Sequence, residues 1–327
     1  MLYTARLKSR PFQARTNIFV ADTTGMLHYL AILDADPLPD NWWAAWSFPE
    51  VPFLGLSLLL VIYLLGWRAA FRTRSSELPL WRGGCFVAGI LSLWIALASP
   101  IDALDDYLLT AHMLQHFILM SVAPPLLVLG TPTVPLLRGL PRWLIQALSR
   151  PVFRARWLHN VCRFITHPVF AWLAMNIAYL SWHVPGMFEL TFQSENIHNF
   201  EHLCFFLTSI AFWWVVIAPW PTRSSWPRWT IIPYLLSADV LNTMLSATLA
   251  FSGKVLYPSY AAVERICSLT PLQDQIAAGA EMWVLNSIVF LVPAVVITAR
   301  LLFPRALTTA ALRPNSVKSK IVLDSSR

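Results

Sequence analysis

Seven long apolar runs divide this sequence, and they leave few folds open. They cover roughly residues 51–67, 83–99, 108–129, 168–183, 200–218, 231–250 and 277–302, each about long enough to cross a bilayer. Hydrocarbon offers no partner for a backbone N–H or C=O, so a lipid-embedded run of this length must bond to itself as a helix. The charge content agrees: 13% of the 327 residues are charged, well under the roughly 25% usual in soluble domains. The expected fold is an all-α membrane protein, a bundle of about seven transmembrane helices. Residues 1–50 form a partly irregular N-terminal segment, 51–303 the membrane domain and 304–327 a basic tail. The sixth run is the weakest, because Asp239, Asn242 and several serines interrupt it. Pro124 and Pro125 should bend the third, since each proline removes a helix hydrogen bond.

The loops between the runs alternate in charge. Arg68, Arg72, Arg74 and Arg82 follow the first; Asp102, Asp105 and Asp106 follow the second, with no basic residue. The third loop holds six arginines, the fourth only Glu189 and Glu195, and the tail is basic again. Lys and Arg collect on the cytoplasmic side, which predicts the N-terminus outside and the C-terminus in the cytoplasm. The net charge of +7 then reflects topology and contact with the lipid bilayer rather than nucleic acid. Arg6, Lys8, Arg10 and Arg15 fit this less well, and initiation at Met26 would remove them. The stretch "PDNWWAAWSFPE" reads as an interfacial tryptophan belt. Trp143, Leu144, Ala147 and Leu148 would share one face of a surface helix, with Arg142 and Arg150 turned away. Cys204 and Cys267 both fall on the outer side, where a disulfide is conceivable.

That topology sorts the histidines. His112 and His116 open the third run, His183 closes the fourth, and His198 and His202 open the fifth, all at the outer end. Both pairs have i,i+4 spacing, which stacks two imidazoles on one helix face. Polar groups in membrane spans are costly and usually line a site or pathway. A shared metal or haem site is therefore expected, with the bland alternative of interfacial polar residues. Met113, Met120, Met244 and Met282 lie within reach as soft donors. Imidazole suits copper, zinc and iron, and thioether favours Cu(I). Glu201, beside His202, is expected to fix a ring tautomer. Asp239 is open to two readings, an interhelical hydrogen bond or a proton role. Tyr257 and Tyr260 read as interfacial.

Five segments in order, "HMLQHFILMSVAPPLLVLGTP", "WHVPGMFE", "HNFEHLCFFLTSIAFWW", "LYPSYA" and "PLQDQIAAGAEMW", resemble the cytochrome c oxidase assembly factors of the CtaG type. The resemblance spans roughly residues 40–303. It implies a multi-pass protein of a bacterial inner membrane that helps copper enter a haem–copper oxidase. Its partner would be an oxidase subunit or another assembly factor. The family's histidine pair matches His112 and His116, its WHxP histidine His183, and its HxxEH pattern His198 and His202. Asp274, Gln275, Gly279, Met282 and Trp283 match its DQ…G…MW motif, although Ile276 stands where a second glutamine is usual. On this reading the five histidines are ligands, supported by Glu201, Asp274, Gln275, Met113, Met282 and Asp239. Two alternatives stay open: a haem-binding redox protein, and a copper or proton-coupled transporter using Asp239 and Glu281. No HExxH helix, nucleophile triad or phosphate-binding loop is present in the sequence, so no conventional enzyme is expected.

Overall fold

The computed structural model describes residues 43, 45–73, 78–147, 156–222, 226–263 and 265–303, with His159 described by its backbone only. The N-terminal segment with Met26, the tail after Phe303, and Leu148 and Arg150 of the expected surface helix lie outside the described residues.

Every regular element among the described residues is helical. Helix α1 is Glu50–Phe71, α2 Leu80–Ala98 and α3 Pro100–Leu104. Then come α4 Leu109–Phe117, a π-turn Ile118–Val122, α5 Ala123–Leu129 and α6 Thr133–Gly139. A short helix, α7, covers residues 142–147. It is followed by α8 Arg156–Ile165, α9 Pro168–Trp182, α10 Pro185–Gln193 and α11 Glu195–Ile217. Last are α12 Ile231–Phe251, α13 Pro258–Ala262 and α14 Pro271–Leu302.

Among the described residues, six helical stretches are long and apolar enough to cross a membrane: 50–71, 80–104, 109–129, 195–217, 228–251 and 271–302. The fourth expected crossing is different. Helix α9 has 15 residues, roughly 22 Å at 1.5 Å per residue, short of the roughly 30 Å hydrocarbon core. It follows α8 across a 61° bend, with Pro168 opening its first turn. The count of crossings is therefore six, or seven if α8 and α9 together make one.

The third crossing stays one helical stretch but leaves the α form just before the prolines. Pro124 and Pro125 occupy the first turn of α5 and cannot donate to carbonyls four residues back. The chain widens into the π-turn, and the Met120 carbonyl that Pro124 leaves unbonded instead accepts the Trp213 indole N–H at 3.2 Å. Two apolar cores result. One gathers α4, α9, α11, α12 and α14 around Phe205, Phe212 and Phe290. The other gathers α1, α2, the π-turn and α5 around Tyr63, Phe86 and Ile90. Helix α6 lies against α1 so closely that a Cβ on Gly66 would stand 1.7 Å from the Pro135 carbonyl oxygen. Large apolar side chains such as Leu58, Leu65, Val240, Val284 and Val292 remain exposed, as expected of lipid-facing surfaces.

Candidate metal centre

The site sits where α4, α9 and α11 meet at one end of the bundle. Helix α4 begins without a side-chain cap of its own. Asp274, fully buried on α14, supplies it: one carboxylate oxygen accepts the Leu109 N–H at 2.9 Å, the other the Thr110 N–H at 3.2 Å and hydroxyl at 2.6 Å. Arg265 faces the same carboxylate at 3.5 Å. This brace fixes the register of α4 one turn before its first histidine.

From there the helical repeat does the rest. The His112 and His116 ring centroids lie 4.2 Å apart on α4, and those of His198 and His202 4.2 Å apart on α11. Across the interface the His112 ring stacks on His198 at 5.2 Å, and His116 meets His202 edge-on at 5.3 Å. His183 caps the end of α9, with its ring 6.2 Å from that of His116. The structure thus brings all five sequence-predicted histidines together, but not as one shell. One donor atom each from His112, His116, His198 and Glu201 lie within 4.8 Å of one another, and His183 and His202 flank that set.

Glu201 sits closer to the centre than its expected role beside His202. It is fully buried, its Oε2 3.9 Å from His116 Nε2. Its spacing gives the reason: three residues after His198, it shares that ring's helix face. Asp105, which the sequence suggested only as a topology marker, also belongs here. Its Oδ2 lies 3.8 Å from His198 Nε2, and burial pushes its carboxyl well above the usual carboxylate range.

The donor atoms are buried and unbonded. His112 Nε2, both His116 nitrogens, the Nε2 atoms of His183, His198 and His202, and both Glu201 oxygens are buried without a hydrogen-bond partner. Each such atom costs about 1–3 kcal/mol, more if charged. In His183, Nδ1 lies 2.7 Å from the Tyr179 carbonyl, so Nδ1 carries the hydrogen and Nε2 presents a lone pair. Neutral imidazoles with one carboxylate form a donor set that suits a first-row transition metal, and the residues present fit such an ion.

A scaffold of saturated polar groups surrounds the donors. Gln275 is buried. Its amide donates to the Leu249 and Lys254 carbonyls and to Ser252 Oγ, and its oxygen accepts the Leu256 N–H. This pins the 252–260 loop, from which two tyrosines reach into the site. Tyr257 and Tyr260 are buried, not interfacial. The Tyr257 hydroxyl donates to the His183 carbonyl at 2.9 Å, and the Tyr260 hydroxyl to the Asp105 carbonyl. Glu189 on α10 accepts from the Ser259 N–H and hydroxyl. A sequence scan sees aromatic rings near an interface; only the fold reveals what their hydroxyls touch.

Next to the histidines lies a small cavity lined by Met113, Met120, Met175 and Met282 together with His116 and His183. Met244 stands apart, 62% exposed on the outer face of α12, so its expected soft-donor role is not supported. Asp239 is also away from the cavity and accepts the Ser287 hydroxyl from α14 at 2.9 Å, the interhelical bond that was one of its two readings. All four cysteines are unpaired, so Cys204 and Cys267 form no disulfide.

The chain is similar to uncharacterized proteins of mycobacteria. Mb0105 of Mycobacterium bovis and MT0111 of Mycobacterium tuberculosis are each 25% identical over 256 residues, 74% of this chain and 37% of their own length. ML1998 of Mycobacterium leprae is 24% identical over 220 residues, 64% of this chain and 31% of its own. The chain therefore spans little more than a third of these relatives. No solved structure matches. The signature of the cytochrome c oxidase caa3 assembly factor family (Caa3_CtaG) covers residues 61–302, from the middle of α1 to the end of α14, and the chain belongs to that family.

Proposed function

We propose that this chain carries copper as cargo during assembly of a haem–copper oxidase, with His112, His116, His198 and Glu201 as the holding set. The observation that carries this reading is the group of buried donor atoms with no hydrogen-bond partner, three imidazoles and a carboxylate of which close within 4.8 Å. Single unpartnered atoms occur elsewhere in the fold, Trp94 Nε1 and Ser209 Oγ among them, but here imidazole and carboxylate donors converge, and one ligand would satisfy them together. Copper bound by nitrogen and oxygen donors near the mouth can leave by ligand exchange more readily than from a closed thiolate cage. The acceptor would be an oxidase subunit or a second assembly factor docked there.

Charge supports an outward-facing mouth. Asp102, Asp105, Glu189 and Glu195 lie at the histidine end, whereas Arg72, Arg138, Arg142 and Arg228 lie in the loops at the other, the arrangement of a bacterial inner-membrane protein with its N-terminus outside. Haem is the weaker reading. The His112 and His198 rings stack face to face with 11° between their planes, whereas axial imidazoles point their nitrogens at an iron across a macrocycle. The bond from Ser287 gives Asp239 a structural role and weakens the transporter reading.

The test is copper per chain in detergent-purified protein. The wild type should hold copper, and His112→Ala/His116→Ala should lose it at equal abundance. Unchanged copper in the double variant would refute the assignment.

A further inference from the structure

The five histidines serve one set of four donors and something else. His183 stands outside the set that closes within 4.8 Å, yet its Nε2 is buried and unbonded. Its Nδ1 is committed to the Tyr179 carbonyl at 2.7 Å, and its backbone carbonyl to the Tyr257 hydroxyl at 2.9 Å. Two anchors thus fix a ring whose only spare atom is a lone pair, and that ring lines the cavity.

The cavity has an unusual lining. Met113 comes from α4, Met120 from the π-turn, Met175 from α9 and Met282 from α14. The whole chain has eight methionines, so half of them converge on this one space from four elements. Its polar groups are already bonded to one another. Ser121 donates to Asn286 at 2.6 Å, Asn286 to Asn242 at 3.2 Å and Tyr179 to Asn242 at 2.7 Å. Asn176 donates to the Trp172 carbonyl at 2.8 Å. A water or proton path would need unsaturated hydroxyls or amides. The donors left free are thioether sulfur and imidazole nitrogen, the neutral, polarizable pair that selects Cu(I) over harder ions.

We infer that this chamber is a second, softer site that takes Cu(I) through His183 and the thioethers of Met113, Met120, Met175 and Met282. The inference rests on the copper reading above and adds a stage to it. His116 lines the chamber and also belongs to the nitrogen and carboxylate set, so it joins the two sites. Copper passes between them as Cu(I): one metal–sulfur or metal–nitrogen bond forms as another breaks. The imidazole and thioether donors are neutral, so no proton and no electron is exchanged in the step.

The experiment is anaerobic Cu(I) titration of the full chain in detergent, read by copper stoichiometry and by X-ray absorption at the copper edge. The wild type should take two Cu(I) per chain and show sulfur scattering. Met113→Leu/Met175→Leu, near-isosteric swaps that a core tolerates, should halve the stoichiometry and remove most of the sulfur signal. His198→Ala should remove the other ion and leave the sulfur signal in place. One copper with no sulfur scattering in the wild type, lost in His112→Ala/His116→Ala, would overturn the chamber and leave the proposed function standing. Unaltered stoichiometry and spectrum in the methionine variant would also overturn it. No bound copper at all would overturn both. Because the wild-type spectrum is itself decisive, the test stands even if the double methionine variant fails to fold.

Discussion

Asp274→Ala separates a brace from a ligand. In the structure this carboxylate touches no histidine; it accepts the Leu109 and Thr110 N–H groups and the Thr110 hydroxyl at the start of α4. Alanine leaves two backbone donors bare, one buried and one partly buried, at about 1–3 kcal/mol each. The Arg265 nitrogen that faces Asp274 is buried without a hydrogen-bond partner, so the lost ion pair adds to the cost. The expected loss is about 2–5 kcal/mol, at or above the upper end for a lost helix cap. For a chain of this size that lowers the melting temperature by roughly 3–10 °C. Asp274→Asn keeps one acceptor oxygen and should lose about 1–2 kcal/mol.

The assay is thermal unfolding of metal-free protein in detergent, followed by tryptophan fluorescence, so that bound copper does not mask the change. Copper is then measured on the folded fraction well below the transition. The brace predicts a lower melting temperature with near wild-type copper per folded chain. An unchanged melting temperature with copper lost would refute it and make Asp274 a ligand.

Asp239→Asn should keep wild-type abundance and activity of the dependent oxidase, because its amide oxygen can still accept the Ser287 hydroxyl, whereas Asp239→Leu should lower abundance; loss of activity at normal abundance in the Asn variant would restore a proton role. Tyr257→Phe strips the His183 carbonyl of its partner and should destabilise by about 1–2 kcal/mol in the same unfolding assay, with no change counting against the anchor. Gly66→Ala places a Cβ 1.7 Å from the Pro135 carbonyl oxygen, a clash of backbone with backbone, and should sharply reduce membrane abundance. Gly55→Ala, with nothing within 4 Å, should be silent by the same immunoblot.

Long-range features of this fold were legible because they follow from solvent and helical repeat. Apolar length located six candidate crossings, Pro124 and Pro125 the departure from α-helix in the third, and charge alternation the common end of His112, His116, His183, His198 and His202. The fourth run leaves its crossing open, because apolar length does not say where a helix bends, and Pro168 starts α9 after a 61° turn. Helical angle alone would have corrected two readings. Met244 is about 200° around α12 from buried Asn242 and so faces outward. Glu201, three residues from His198, had to share its face. The 252–260 loop was beyond such reasoning: Tyr257 and Tyr260 are placed by Gln275, which holds their loop from another helix.

Side-chain chemistry alone does not distinguish the ligands from their surroundings. Asp274, Gln275, Glu189, Tyr257 and Tyr260 sit at the same end of the bundle as the histidines and are as able to bind a metal or to sustain a proton path as many catalytic groups. Saturation distinguishes them. The bracing groups spend their hydrogen bonds on backbone at the ends of α4, α9 and α12 and on the 252–260 loop. They hold two histidine-bearing segments in register, the start of α4 and the end of α9. The histidine nitrogens and Glu201 oxygens have the opposite condition, buried with lone pairs unspent. Ordering a fold around bare donors opposes stability, so the braces offset a cost that the donors impose. It follows that weakening a brace and removing a donor should act in opposite directions on the metal-free protein. Asp274→Ala lowers its melting temperature. Replacing Glu201, whose two buried oxygens have no partner, with Leu should raise it while abolishing copper binding. Joint destabilisation by both changes would show that the donors already satisfy one another without an ion.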